Sequence, residues 1–328
     1  MWKIQNKINH KFYAMKEISK VKIYKRKAIN LIKNEMIILS NLHHPFIINL
    51  YYAFQDTENL YLIMDFLTGG DLRYFLRRHY KLNEESIIFI ISNIILILEY
   101  LNENNIIHRD LKPDNLLFDK DGYLNLIDFG ISNKSKSHQK YKKLIGSLMY
   151  IASEILINKT NDFSSDYFSL GIISYELVFG KRPYIGKNKN EILEQILFEE
   201  IHIDINDIPN KFNNKILIWD FISKLLKKEP KERLGGINGI KEIKNHPLFN
   251  EVQWDKNLNK QINSPFLKYV KSKENFDSNL VNQPDKFNCE NYYEILEEIN
   301  NKDYFKEFYY NSYDNYQNYN KDFLDFRN

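Results

Sequence analysis

The sequence predicts an α+β protein with two lobes, a small mainly β lobe followed by a large mainly α-helical lobe. Residues 11–18 are rich in β-formers around a lysine, which is typical of a strand with one buried cation. Residues 84–104 form a long apolar segment that opens with two glutamates, which favours a helix. Gly69 and Gly70 lie between these regions and indicate a loop at which two lobes can hinge.

Length and composition support this interpretation. The chain has 328 residues and 43% hydrophobic residues, enough for two lobes with cores of their own. Its 46 basic and 43 acidic residues give a net charge of +3, so we expect no general nucleic-acid binding. Cys289 is the single cysteine, which excludes an internal disulfide and a cysteine zinc cluster and fits a reducing cytoplasmic or nuclear compartment.

Two features bear on membranes and export. Residues 1–7 lack the apolar core of a secretory signal. The apolar run Ile87–Leu101 is too short for a bilayer and contains Ser92, Asn93 and Glu99. We therefore expect a buried helix there and no membrane span.

A polar motif between apolar segments carries the clearest chemistry. Residues 108–115 read H-R-D-L-K-P-D-N, and residues 128–130 read D-F-G. Phosphoryl transfer needs a carboxylate for the hydroxyl proton, a cation for the moving phosphoryl group and oxygen ligands for a metal ion. The residues that supply these groups are Asp110, Lys112, Asn115 and Asp128. The alternative is an ordinary polar turn, which would rarely contain this whole set.

These motifs resemble the catalytic loop and the metal-binding loop of the protein kinases. The resemblance implies the bilobal kinase fold, ATP and magnesium as cofactors, and protein substrates. Asp110 would deprotonate the substrate hydroxyl, Lys112 would offset charge on the γ-phosphoryl group, and Ser147 would link the two. Asn115 and Asp128 would bind magnesium. Lys112, two residues after Asp110, is typical of serine/threonine-specific kinases.

Further segments resemble the AGC group of these kinases, namely residues 44–55 and 60–72. Lys16 lies in the first predicted strand and Glu35, nineteen residues later, in a helical pattern; kinases of this kind pair such residues at the nucleotide phosphates. Met64 would be the gatekeeper, and 65–67 would be the hinge. The ATP-binding residues that the resemblance implies are Ala14, Lys16, Glu35, Met64, Asp65, Leu67, Asp71, Leu117 and Ile127. Alternatively, Glu35 is a solvated helix residue and the apolar members are simply core.

The chain departs from the family pattern before Lys16, because its first glycine is Gly69 and the glycine-rich loop over the phosphates is absent. Three explanations are open: a gene model or fragment that begins after the loop, a kinase that has lost it, or a pseudokinase. We favour the first, since the strand resumes in register and the catalytic set is otherwise complete.

The segment from Asp128 to Glu154 corresponds to the activation segment. Ser153 replaces the proline that the family shows before Glu154, and Arg233 stands where the ion-pair partner of that glutamate is expected. Lys143 occupies the usual phosphothreonine position of AGC kinases. Arg109 would then lack its phosphate partner or use another site among Ser135, Ser137 and Tyr141.

The resemblance divides the chain into a small lobe over 1–66, a catalytic lobe over 67–250 and a C-terminal tail over 251–328. In the AGC group such a tail wraps back over the small lobe, and its F-x-x-F aromatics, here Phe305 and Phe308, dock in a groove there. The motif is weaker here, since Tyr309 follows where a phosphorylatable Ser/Thr is usual. The tail segments with this resemblance are Ser264-Pro265-Phe266, Asn275-Phe276-Asp277 and 305–310. The Asn- and Tyr-rich stretch 309–320 is equally well explained as a disordered end.

Three acids bear on substrate choice: Asp71, Asp114 and Glu176. In basophilic kinases that resemble this chain, such acids face arginines two and three residues before the phosphorylated hydroxyl. Alternatively, each acid is satisfied locally, Asp71 as a helix cap, Asp114 as a loop acid and Glu176 as the partner of a buried arginine.

The leading interpretation is an AGC-like serine/threonine kinase that prefers basic residues before the acceptor. The alternative is a non-catalytic kinase-fold binding module, although such a module has no need for so many charges in one cleft. A small-molecule kinase is disfavoured by the activation segment. We also expect an upstream activating kinase acting through the activation segment and the tail, and a monomeric protein.

Overall fold

The computed structural model describes residues 1–78, 82–134, 146–158, 162–272 and 291–312. The chain forms two compact units. The first, here called the small unit, comprises 1–43, 48–66 and the chain from 277 onward; the second, the large unit, comprises 44–47 and 67–276. The region predicted as a tail is therefore shared, since 251–276 belongs to the large unit. Cys289, Ser135, Ser137, Tyr141, Lys143 and the Asn275-Phe276-Asp277 motif lie outside the described residues.

Strands of the described chain are, in order, β1 (Trp2–Gln5), β2 (Phe12–Ser19), β3 (Leu50–Gln55), β4 (Asn59–Asp65), β5 (Ile106–Ile107), β6 (Leu116–Phe118), β7 (Leu124–Leu126), β8 (Asn133–Lys134) and β9 (Tyr310–Asn311).

The α-helices are α1 (Lys20–Lys25), α2 (Ile29–Asn41), α3 (Leu72–Arg78), α4 (Glu84–Glu103), α5 (Ser153–Asn158), α6 (Phe163–Phe179), α7 (Lys189–Phe198), α8 (Lys215–Leu225), α9 (Ile240–Lys244), α10 (Trp254–Leu258), α11 (Leu267–Lys271) and α12 (Tyr292–Asn301). No helix of the described residues is long and apolar enough to cross a membrane.

An antiparallel sheet in the order β1-β2-β4-β3-β9 forms the centre of the small unit. The strand predicted over residues 11–18 is present as β2, in which Lys16 lies opposite Leu62 and Ala14 opposite Met64. Helix α2 contributes Ile32, Met36 and Leu39 to the core, and all three are buried. The strand-rich unit predicted from the sequence is therefore confirmed.

The large unit is mainly helical and is organised around α4, whose residues are mostly buried, as its apolar sequence predicts. The Asn83 side chain caps this helix by accepting a hydrogen bond from the Ser86 N–H at 2.9 Å. Helix α6 begins at an Asp162 cap and ends at Gly180, which has a φ of 69° that favours glycine. Together the two units confirm the predicted α+β fold class.

The F-x-x-F segment of the tail belongs to the small unit. Phe305 and Phe308 are both buried, and the Gln55 side chain donates a hydrogen bond to the Phe305 carbonyl at 2.7 Å. Strand β9 follows and adds to the edge of β3. Burial of two aromatic side chains stabilises this attachment, as the resemblance to AGC kinases predicts. Phe266, in contrast, packs against Phe118 within the large unit.

Candidate active site

The loop after β5 is held in shape by one buried carboxylate. Asp166, on α6, accepts hydrogen bonds from the backbone N–H groups of His108 at 2.7 Å and Arg109 at 2.9 Å. Arg109 has a φ of 70°, a left-handed conformation that needs such fixed partners. Burial raises the pKa of Asp166, while His108 and the two N–H groups counteract part of that effect. The sequence analysis did not assign this structural role to Asp166.

His108 connects this loop to the D-F-G motif. Its Nε2 atom lies 2.5 Å from the Asp128 carbonyl oxygen, and its ring packs edge-on against Phe129. The Ser132 hydroxyl donates to the His108 carbonyl at 3.2 Å. The backbone at Asp128 is therefore fixed with respect to the catalytic loop, although the two are far apart in sequence.

Asp110, Lys112 and Ser147 form a closed set of hydrogen bonds. The Lys112 ammonium lies 2.7 Å from Asp110 Oδ2 and 2.8 Å from the Ser147 hydroxyl oxygen. The Ser147 N–H donates to Asp110 Oδ1 at 2.9 Å. The sequence analysis expected Ser147 to link the other two residues, and the geometry agrees with that expectation.

A glycine lets the activation segment approach the catalytic loop here. Gly146 has a φ of +108°, and a Cβ atom at this position would lie 2.6 Å from the Arg109 carbonyl oxygen. A side chain would therefore both strain the backbone and collide with the loop. Gly146 is what places the backbone of Ser147 against Asp110.

Asn115 and Asp128 are the residues expected to hold a metal ion. The Asn115 amide nitrogen donates to the Asp110 carbonyl at 2.9 Å and lies 3.2 Å from Asp110 Oδ2, which leaves the Asn115 amide oxygen as an acceptor. Asp128 Oδ1 accepts the Gly130 N–H at 3.0 Å. A carboxylate and an amide oxygen suit a hard divalent cation. Among the described residues no cluster of three or more His, Cys, Asp or Glu side chains could hold a metal ion.

The expected lysine–glutamate pair is present in the small unit. The Lys16 ammonium lies 2.7 Å from Glu35 Oε1. The Glu35 side chain is 4% exposed and that of Lys16 is 33% exposed, so the carboxylate is buried while the cation remains partly accessible. This arrangement excludes the alternative that Glu35 is a solvated helix residue.

The other residues expected at the nucleotide lie partly in each unit. Ala14 and Met64 are opposite each other on β2 and β4, and the Asp65 carboxylate accepts hydrogen bonds from Asn49 and Tyr51. In the large unit, Leu117 pairs with Asp71 as an isolated β-bridge, and the Ile127 N–H donates to the Asn115 carbonyl. Leu67 is the first residue of the segment 67–276 of this unit. Their assignment to ATP stays a prediction.

All three acids expected to bind substrate have partners within the chain. Asp71 Oδ1 accepts the Tyr74 N–H at 2.6 Å and so caps the start of α3. Glu176 accepts two hydrogen bonds from Arg73. Asp114 contacts Arg73 at 3.4 Å, but its side chain is 50% exposed. The assignment of these acids to substrate stays a prediction, and Arg73 is a residue that the sequence analysis missed.

The predicted ion pair below the activation segment forms as expected. Arg233 donates to Glu154 through both terminal nitrogens, at 2.7 and 3.0 Å, and it is almost fully buried. Its Nη1 also reaches the Ser164 carbonyl. Ser153, in place of proline, begins α5. Arg109, which was expected to lack its usual phosphate partner or to use another site, donates from Nε to the Ile131 carbonyl at 2.6 Å.

Comparison with known proteins agrees with this geometry. The protein kinase domain family matches residues 1–249, and the chain belongs to that family. Its relatives place it in the AGC group of serine/threonine kinases.

It is 36% identical over 274 residues to the serine/threonine-protein kinase sgk-1 of Caenorhabditis elegans, covering 83% of this chain and 58% of that protein. It is 36% identical to cAMP-dependent protein kinase type 3 of Saccharomyces cerevisiae, covering 80% of this chain and 64% of the relative. With ribosomal protein S6 kinase alpha-2 of Mus musculus it shares 36% identity over 77% of this chain and 34% of the relative. The chain thus spans less than two thirds of the length of these curated relatives.

Proposed function

We propose that this chain transfers the γ-phosphoryl group of ATP to serine or threonine hydroxyls of protein substrates. The observation that carries the proposal is the hydrogen-bonded set of Asp110, Lys112 and Ser147, closed by Asn115. A hydroxyl placed at Asp110 meets a proton acceptor and a cation together, which is what phosphoryl transfer requires.

Each residue of the set has a definite task. Asp110 orients the acceptor hydroxyl and takes its proton as the new oxygen–phosphorus bond forms and the bond from the γ-phosphorus to the departing ADP breaks. Lys112, 2.7 Å from Asp110, offsets the negative charge that develops on the transferred group. Ser147 holds both side chains in register, because its hydroxyl and its N–H contact one each.

ATP with magnesium supplies the phosphoryl group and neutralises part of its charge. Asn115 and Asp128 would hold the magnesium through their side-chain oxygens. Lys16, oriented by Glu35 at 2.7 Å, would bind the nucleotide phosphates. Magnesium is favoured over softer metals by this all-oxygen donor pair.

Regulation, assembly and location form part of the proposal. An upstream kinase would act through the activation segment and the tail, because Ser147 connects that segment to Asp110 and because Phe305 and Phe308 are buried in the small unit. We further propose a monomer, and a location in the cytoplasm or nucleus because the single cysteine fits a reducing compartment.

One observation favours the alternative of a kinase-fold binding module. Residues 1–68 contain no glycine, so the glycine-rich pattern of the family is not found among them. The retained Lys16–Glu35 pair and the intact set around Asp110 argue against this alternative.

A transfer assay with radiolabelled ATP and a mixture of generic basic and neutral protein substrates distinguishes the kinase from the binding module. Incorporation into serine or threonine that depends on a divalent cation supports the kinase. Nucleotide binding with no incorporation above that of an Asp110→Asn variant would favour the binding module.

A further inference from the structure

Arg73 occupies an unusual place for a charged helix residue. It lies on α3, and its guanidinium donates to Glu176 Oε1 at 2.5 Å and to Oε2 at 3.0 Å. The two side chains are only 14% and 9% exposed. A planar guanidinium that meets both oxygens of one carboxylate is the strongest common form of ion pair in proteins.

Two further groups complete this site, which we call the Arg73 cluster: Arg73, Glu176, Asp114 and Tyr150. Arg73 Nε lies 3.4 Å from Asp114 Oδ2, and the Tyr150 hydroxyl donates to Glu176 Oε2 at 2.7 Å and contacts Arg73. Burial alone would lower the pKa of Arg73, but the hydrogen bond to Glu176 and the nearby carboxylates raise it. The cluster therefore holds one permanent cation between two carboxylates.

The cluster adjoins the catalytic set through two separate segments. Asp114 follows Asp110 by four residues on the same loop, and Tyr150 follows Ser147 by three. Asp110, Ser147 and Tyr150 line one small cavity. One residue of an extended peptide spans about 3.3 Å, so a side chain a few residues from an acceptor at Asp110 can reach the cluster.

Without Arg73, the same groups would form a cation site. Glu176 and Asp114 present two carboxylates, and the Tyr150 hydroxyl adds a polar rim. A substrate arginine that bound there would have to displace a guanidinium already in bidentate contact. A group of the same chain holds such a site without the loss of translational freedom that an incoming peptide suffers.

We propose that Arg73 fills the Glu176–Asp114 site from within the chain, so that the active site does not select a substrate arginine at that place. This proposal rests on the proposed kinase function. It differs from the expectation drawn from the sequence, in which Glu176 itself faces a substrate arginine. The Asp114 side chain, which is 50% exposed, stays partly accessible to a substrate cation.

The test compares wild type with Arg73→Met, which keeps an unbranched apolar side chain and removes the guanidinium. Arg77→Met is the matched control, because Arg77 is an exposed arginine on the same helix. The substrates are serine peptides that carry a single arginine at successive positions on either side of the acceptor, and an all-alanine reference. The measurement is kcat and KM for each pair of enzyme and peptide.

We expect wild type and Arg77→Met to prefer arginine by no more than about threefold at the position that reaches the cluster, since the cluster is already occupied. Arg73→Met should prefer it by about tenfold or more at one position, mainly through a lower KM, as expected for a regained ion pair. A structural role alone would lower activity on all peptides equally. A strong arginine preference of wild type that Arg73→Met leaves unchanged and Glu176→Gln removes would overturn the proposal.

A binding measurement tests the proposal if the Arg73 variant loses its kinase activity. Ethylguanidinium at millimolar concentration should raise the melting temperature of Arg73→Ala and leave that of wild type unchanged, because only the variant has the site open. Absence of that shift in a folded Arg73→Ala would contradict the proposal. Failure of wild type to phosphorylate any peptide would count against the kinase function alone.

If Arg73→Ala does not fold, Glu176→Gln serves instead: an arginine preference equal to that of wild type supports the proposal, and a smaller one contradicts it.

Discussion

Arg233 donates two hydrogen bonds to Glu154, at 2.7 and 3.0 Å, in the interior of the large unit. Removal of one partner leaves an uncompensated buried charge, which costs far more than the pair contributes as a whole. Glu154→Gln should therefore lower the free energy of unfolding by about 3–5 kcal/mol. Urea denaturation of the variant beside Glu232→Gln, which removes an exposed glutamate nearby, measures the difference. Equal midpoints would show that the pair is not important for stability.

Asp110→Asn should abolish transfer while ATP binding stays near that of wild type. The amide cannot accept the hydroxyl proton, and the loss of a group used mainly in the transition state lowers kcat rather than affinity. We expect kcat to fall by roughly 10²–10⁴-fold. Phosphate incorporation and nucleotide binding by calorimetry are measured on the same preparation. A variant with wild-type kcat would contradict the role of Asp110.

Lys16 and Glu35 should act as one unit. Glu35 contacts the Lys16 ammonium at 2.7 Å, so its effect on catalysis is expected to pass through that lysine. Lys16→Met, Glu35→Gln and the double variant should therefore lose similar amounts of kcat/KM, each by about tenfold or more. Losses that multiply in the double variant would show that the two residues act independently.

His44 should make stability fall as the pH decreases. Burial, with a smaller effect of the Lys260 charge, lowers its pKa to about 4 from 6.5. Below pH 6.5, His44 is protonated in the unfolded chain but stays neutral in the folded chain. The free energy of unfolding therefore falls as the pH decreases from 6.5 toward 4. The contribution between pH 7 and 5 is about 2 kcal/mol. His44→Asn retains an acceptor for the Phe46 N–H and should reduce this slope; an unchanged slope would exclude His44 as its source.

Phe308→Ala should destabilise the small unit. The ring is 1% exposed, and truncation of a buried phenylalanine costs about 3–5 kcal/mol. Tyr309→Ala is the control, because the ring of Tyr309, the next residue in the chain, is 63% exposed. Thermal unfolding of the two variants should differ clearly. Equal melting temperatures would mean that the tail contributes little to the stability of this unit.

Local spacing explains which parts of the site could be predicted. Asp110 and Lys112 are two residues apart on one loop, so their contact follows from the motif. The fold class followed similarly from the β-formers of β2 and the apolar length of α4.

The ion pair between Arg73 and Glu176 could not be predicted from local spacing. Its partner Glu176 is 103 residues away, and an arginine on a short helix that contains other arginines is ordinarily a solvated residue. The role of Asp166 is hidden for a related reason, since it bonds to backbone groups rather than to side chains that a motif would show.

The small unit is built from segments that are far apart in the sequence, and this has a consequence for biosynthesis. Its sheet is completed by β9, and Gln55 bonds to Phe305, 250 residues further along the chain. The large unit closes with residues up to 276 and is available to fold earlier as the chain leaves the ribosome. Strand β3 therefore pairs with β9 only after the intervening chain has been translated, and this long sequence separation should make assembly of the small unit the slow event in folding.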